Sequence, residues 1–135
     1  MLVDGGGVPL ALSVDGANRH DMKLVRATLK NLMASRPRRR KQHLCMDKGY
    51  DYPTVRALVE FWGYTAHIAS RGEPRPHRQK IPKHRNRRWV VERTHSWFNR
   101  FRRLLIRWEK KAANYVAMLH LACAFVTFRA AAVMG

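Results

Sequence analysis

Two short extended runs open the chain, Leu2-Val3 and residues 8–14, with Asp4 and the glycines at 5–7 between them. An Asp-Gly pair between apolar runs predicts a hairpin, because glycine takes positive φ without steric cost. Leu24, Val25, Thr28, Leu29 and Leu32 then recur at helical spacing behind Asp21, which is placed to cap the helix. A basic stretch at 36–41, with Pro37 inside it, ends that helix. Residues 43–46 form a short apolar run that leads straight into Asp47, Lys48, Gly49, Tyr50 and Asp51. A strand that delivers a carboxylate at its C-terminal end, followed by a glycine turn, is a recurrent site geometry in α/β sheets. Pro53 suits the first turn of a helix reaching Trp62, Gly63 closes it, and residues 64–69 read as a further strand. Residues 70–86 carry Pro74, Pro76 and Pro82 among many cations and predict a mobile basic loop. A long helix over 88–108 and a second over 112–132 complete the order, and no internal repeat is visible.

The helix after the loop has two unlike faces. At about 100° per residue, Thr94, Trp97, Phe101, Leu104 and Trp108 all fall within roughly 40° of Val90 and predict a core-facing stripe. Glu92 falls at about 200°, on the far side, near Arg85, Arg88, Asn99 and Arg103. Two readings of that arrangement compete. Glu92 pairs with arginines on a solvated face, a contribution of a few tenths of a kcal/mol. Alternatively the arginines grip phosphates while Glu92 binds a cation, since a carboxylate on a phosphate-binding face repels its substrate unless a metal neutralises it.

Charge changes the picture more than overall composition does. The chain has 27 Lys and Arg against 9 Asp and Glu, a net charge of +18 in 135 residues. Like charges oppose compaction, so such an excess points to a polyanionic partner, nucleic acid before an anionic membrane. Residues 71–110 hold 14 of the cations against Glu73, Glu92 and Glu109, beside Trp89, Trp97 and Trp108, which are expected in the core. Met1, Leu2, Val3 and Asp4 run directly into glycines, which predicts no secretory leader. The apolar stretch at 115–134 is interrupted by His120 and Arg129 and predicts a buried helix, not a membrane span. Cys45 and Cys123 lack a CxxC spacing and read as reduced core thiols; the seven histidines show no zinc-ligand spacing.

Three segments, residues 2–21, 47–51 and 87–104, resemble in order the DDE transposases of bacterial insertion sequences (four/five type). The third is the most specific, with Arg88, Trp89, Val90, Val91, Glu92 and Arg93 at its heart. The resemblance implies an α/β, RNase H-like mixed sheet with flanking helices and a C-terminal helical pair. One partial catalytic domain then covers 1–135: a hairpin and α/β part (1–69), the basic loop (70–86) and a helical part with Glu92 (87–135). It implies that Asp47 and Glu92 are the second and third carboxylates of a metal-binding catalytic triad. Arg85, Arg88, Arg100 and Arg103 are the expected DNA contacts. Arg85 stands where the family has tyrosine and Asn99 where it has lysine, so Arg100 or Arg103 is the expected substitute.

The same resemblance places the first aspartate on a central strand upstream of Leu2, so the sheet is expected to lack that strand. Asp4 and Asp15 lie at hairpin and loop positions that do not replace it. The implied chemistry is in-line displacement at phosphorus with Mg²⁺ or Mn²⁺, the hard cations that carboxylate oxygens suit. Water first releases the transposon end, and the freed 3′-hydroxyl then attacks target DNA. Implied partners are transposon-end and target DNA, a second copy of the chain in the active complex, and a complementing upstream segment, in the bacterial cytoplasm near the nucleoid. With one aspartate missing, the isolated chain is expected to be inactive. A non-catalytic basic DNA-binding fragment or regulator of transposition fits the charge equally well, and an RNA-binding protein fits the charge alone.

Overall fold

The hairpin at the N-terminus is set by a single carboxylate. In the computed structural model, which describes residues 1–16, 18–33, 40–70 and 88–134, Asp4 Oδ1 accepts the amides of Gly6 and Val8 at 2.8 Å each. That turn brings Leu2–Val3 (β1) antiparallel to Pro9–Ala11 (β2). Gly7 closes it at φ +85°, a conformation that side chains disfavour. A 3₁₀ turn at Asp21–Leu24 then runs into Val25–Lys30 (α1), whose Val25 and Leu29 face inward. The capping position is His20, which makes no side-chain cap bond, so Asp21 is the first residue of the turn instead of its cap.

Gln42–Met46 (β3), Pro53–Phe61 (α2) and Tyr64–Ile68 (β4) form one strand–helix–strand unit. The two strands pair parallel with Leu44 opposite Ala66. Parallel neighbours need such a crossover, and Pro53 starts it where a missing N–H costs nothing. Val55 and Val59, one turn apart, join Val25, Leu29, Leu44 and Ile68 in the first hydrophobic cluster. Arg56 fastens the unit: it reaches Asp51 Oδ1 through Nε (3.0 Å) and Nη2 (2.7 Å), and Nη2 also donates to the Ile68 carbonyl. Among the described residues the sheets remain two separate pairs, β1 with β2 and β3 with β4. The mixed helix and strand content is that of an α/β chain. The basic loop at 70–86 lies outside the described residues, apart from Ser70.

The helical part departs from expectation in three places. The helix expected over 88–108 is two: Arg88–Phe98 (α3) and Arg102–Leu105 (α4). Between them the Phe101 amide bonds the Phe98 carbonyl at 2.9 Å, and Phe101 takes an extended conformation. The break ends the single wheel, so the buried line on α3 is Val90, Thr94 and Phe98, while Trp108 is 69% exposed and Trp89 54% exposed. Ala112–Met134 (α5) is one long helix, as expected, but it is not buried. Among the described residues only Ala122 is enclosed, in a second cluster with Phe98 and Leu104, and Leu121, Phe125 and Phe128 lie open to solvent. Its main packing partners are α4 and β2, with Phe98 of α3 joining the cluster, and together they leave much of the apolar helix uncovered. By length and composition α5 is apolar enough to cross a membrane, a property shared with core helices of soluble proteins. Cys45 and Cys123 form no disulfide among the described residues and are half-buried, not deep in the core.

Candidate functional site

Asp47 follows β3 directly. Its extended backbone (φ −69°, ψ 157°) continues the strand for one residue, and its Oδ1 caps a 3₁₀ turn at Lys48–Tyr50 by accepting the Lys48 amide at 2.6 Å. The carboxylate is thereby held at the strand's C-terminal end, half-buried.

Glu92 comes from the first turns of α3, and two of its neighbours fix that helix. Thr94, fully buried, donates its hydroxyl to the Gly7 carbonyl at 2.6 Å, with the Val90 carbonyl a second acceptor at 3.1 Å. Arg93 donates to the Gly6 carbonyl. Its guanidinium carbon lies 4.8 Å and 5.2 Å from the ring centroids of Trp89 and Trp97. The buried Nε of Arg93 finds no acceptor among the described residues, so the aromatic faces are its main counterpart. A Cβ on Gly7 would stand 3.0 Å from Thr94 Oγ1 and 3.2 Å from Arg93 Nη2. The glycine turn and α3 thus fit against each other only because position 7 has no side chain. Sequence reasoning read the glycines as a hairpin signal and missed this second use; the run of three was the available sign.

These two placements meet. A cleft of about 770 Å³ separates the two sheets and is lined by β1 and β3 from either side, with Asp47, Glu92 and His95 on its wall. Buried Val25, Leu29, Leu44 and Val90 give it an apolar floor. Asp4 also faces the cleft, with Oδ1 committed to its own turn. Asp15 bonds the Gly16 amide and pairs with Arg19 at 2.9 Å, away from it. Burial pushes the His95 imidazole below the ordinary histidine range, and the positive chain amino terminus adds to the shift.

The expected DNA contacts are placed less closely together. Arg88 begins α3, Arg85 lies outside the described residues, and Arg100 sits in the turn after α3. Arg103, on α4, pairs with Glu109 at 3.6 Å. Arg100 and Arg103 are exposed and do not line the cleft, because the chain has turned at 99–101 before reaching α4. Sequence reasoning also missed His43 and His67, whose rings touch across β3 and β4.

Asp47 and Glu92 offer the oxygen donors that a hard divalent cation takes. Among the described residues no group of three or more His, Cys, Asp and Glu is gathered closely enough to enclose an ion. The donor chemistry of the two carboxylates fits Mg²⁺ or Mn²⁺.

Residues 1–127 match the family described as the transposase DDE domain. The chain is 33% identical over 131 residues to a Burkholderia cepacia protein named as a putative transposase for insertion sequence element IS402. The alignment covers 93% of this chain and 60% of that relative, so the chain spans about three-fifths of its length. No solved structure matches. A family match over nearly the whole chain, together with that identity, makes the chain a member of the DDE-domain transposases of insertion sequences.

Proposed function

We propose that this chain supplies two carboxylates, Asp47 and Glu92, and much of the protein wall of a site for DNA strand cleavage and strand transfer. The observation that carries the reading is that both residues, 45 positions apart and from unlike elements, line one cleft. Asp47 and Glu92 are the groups that hold Mg²⁺ or Mn²⁺, and a bound ion supplies Lewis-acid polarisation of phosphoryl oxygens. The chain's own part is positional. The Lys48 amide orients Asp47, the grip of Arg93 and Thr94 on the glycine turn orients α3, and exposed Arg100 and Arg103, with Arg85 and Arg88, give DNA phosphates their counter-charge. DNA is the partner that a net charge of +18 favours.

The cleft is the place for one further strand, the central strand of an RNase H-like sheet that brings the first carboxylate. Its support is the lining by β1 and β3, two strands that belong to separate sheets. Cleavage needs that strand's carboxylate beside Asp47 and Glu92. The test is nicking of supercoiled DNA bearing the element's ends, in Mg²⁺ and in Mn²⁺, with and without a segment supplying the missing strand. The expected result is activity only with the segment, abolished by Asp47→Asn and by Glu92→Gln. Nicking by the chain alone that survives both substitutions overturns the reading.

The absence of a gathered group of three such donors among the described residues favours a second reading, a non-catalytic DNA-binding fragment or regulator of transposition. It is separated by divalent dependence: this reading expects DNA affinity unchanged by Mg²⁺ and flat or improved in Glu92→Gln.

A further inference from the structure

The face of the β3–β4 pair opposite Leu44 and Ile68 carries a histidine contact, beside the cleft that His43 helps to line, whose rings the carboxylate reading does not use. The parallel register sets His43 opposite Thr65 and Cys45 opposite His67, so all four side chains share one face, while Leu44 and Ile68 turn to the core. His43 Nδ1 and His67 Nε2 lie 2.8 Å apart, with ring centroids at 5.0 Å and planes tilted by 42°. His43 is exposed and His67 half-buried, so solvent reaches the pair.

We propose that His43 and His67 form a two-imidazole clip for one divalent late first-row transition ion that favours right-angled coordination, nickel(II) or copper(II). The argument is the bite. Two nitrogens bound at about 2.0–2.1 Å with a right angle between them stand roughly 2.8–3.0 Å apart, whereas a tetrahedral angle sets them at roughly 3.3–3.4 Å. The observed 2.8 Å, held as a hydrogen bond, shows that the strands already stand at the separation the first geometry needs, with the rings left to turn onto the ion. Imidazole is also a ligand of the softness these ions prefer, and Mg²⁺ is not drawn to it.

In the ion-free pair one ring donates N–H to the other's lone pair. On binding, the donating ring moves that proton through solvent to its other nitrogen and both rings turn about χ2, a broad torsion. Both lone pairs then face the ion, and a neutral pair releases no net proton. No third His, Cys, Asp or Glu completes a group of three among the described residues, so water fills the remaining positions. The bound ion ties β3 to β4 on the face opposite Leu44 and Ile68, in the sheet whose first strand leads to Asp47. Binding to the folded state alone raises apparent stability by mass action.

The experiment is Ni²⁺ titration of the full 135-residue chain at pH 7.5 by calorimetry, beside thermal unfolding with Ni²⁺ and with Mg²⁺. Binding of one equivalent is expected, at least tenfold weaker in His43→Gln and in His67→Gln. The double variant should be no weaker than either single one, as befits a chelate that needs both rings. His120→Gln, the control, should leave affinity unchanged. His43→Gln also removes the ring contact with His67, so thermal unfolding of the ion-free variant separates that loss from the loss of binding. Unchanged Ni²⁺ affinity in His43→Gln, no binding to the parent chain, or equal stabilisation by Mg²⁺ overturns the clip. Because the carboxylate reading concerns Mg²⁺ at Asp47 and Glu92, either can fail while the other stands.

Discussion

Thr94 on α3 hydrogen-bonds the carbonyl of Gly7 in the N-terminal turn at 2.6 Å, joining residues 87 positions apart in a fully buried contact. It is the link that sets the helix carrying Glu92 against the first hairpin. Gly7→Ala is expected to destabilise the chain by about 1–3 kcal/mol, since the new methyl meets Thr94 Oγ1 at 3.0 Å and position 7 keeps φ at +85°. Thr94→Val keeps the shape and removes the hydroxyl, leaving the Gly7 carbonyl without that donor, at about 1–3 kcal/mol. Urea unfolding of the two variants checks both figures. If the two residues act through one contact, the double variant will fall short of the sum.

Arg56 offers a different test. It is about two-thirds enclosed and binds both Asp51 and the end of β4. Arg56→Met retains most of the apolar stem and removes every donor. Loss of bonds to a charged group should cost about 1.5–3 kcal/mol, measured as a lower urea midpoint, and the loss should persist in high salt because the pair is partly shielded from solvent.

Burial separates two apolar substitutions. Leu29 is 2% exposed within the first cluster, and Leu29→Ala should cost about 2–5 kcal/mol. Phe128 is 72% exposed on α5, and Phe128→Ser should change stability by no more than about 0.5 kcal/mol. The second variant should also stay monodisperse at higher concentration, read by light scattering, because an open apolar stripe promotes self-association.

The cleft histidine gives the pH dependence a sign. His95 titrates below the ordinary value of 6.5 when folded, so the unfolded chain binds the proton more readily. Its contribution to stability is full above about pH 6.5 and is lost as pH falls from there through the folded value. Thermal unfolding between pH 7.5 and 5 should show a falling midpoint, with a shallower fall in His95→Gln.

The α/β part was legible because its signals are local. Asp4 and the glycines at 5–7 announced the hairpin, though its second strand stops at Ala11, three residues short of the expected run; residues 43–46 marked the strand that leads to Asp47, and Pro53 with Gly63 the helix bounds, found within a residue or two. The helical part was read less well because its outcome depends on contacts. Nothing in residues 88–108 forbids one helix, and Phe98, Phe101 and Leu104 would share a face on it; the break at 99–101 follows from tertiary contacts that no local pattern shows. Trp108 followed the wheel on paper and lost its place when the wheel ended. Asp47 and Glu92 were nameable through family likeness. The gripping of the glycine turn by Arg93 and Thr94 was not, since it joins positions with no shared pattern.

The 87-residue span between Gly7 and Thr94 has a consequence during synthesis. A ribosome adding about 5–20 residues per second makes the hairpin roughly 4–17 s before the partner helix exists. Over that interval β1 has no α3 to pack on, and its apolar side must be tolerated or shielded. The nascent chain is therefore most open to chaperones and proteases before translation passes residue 94.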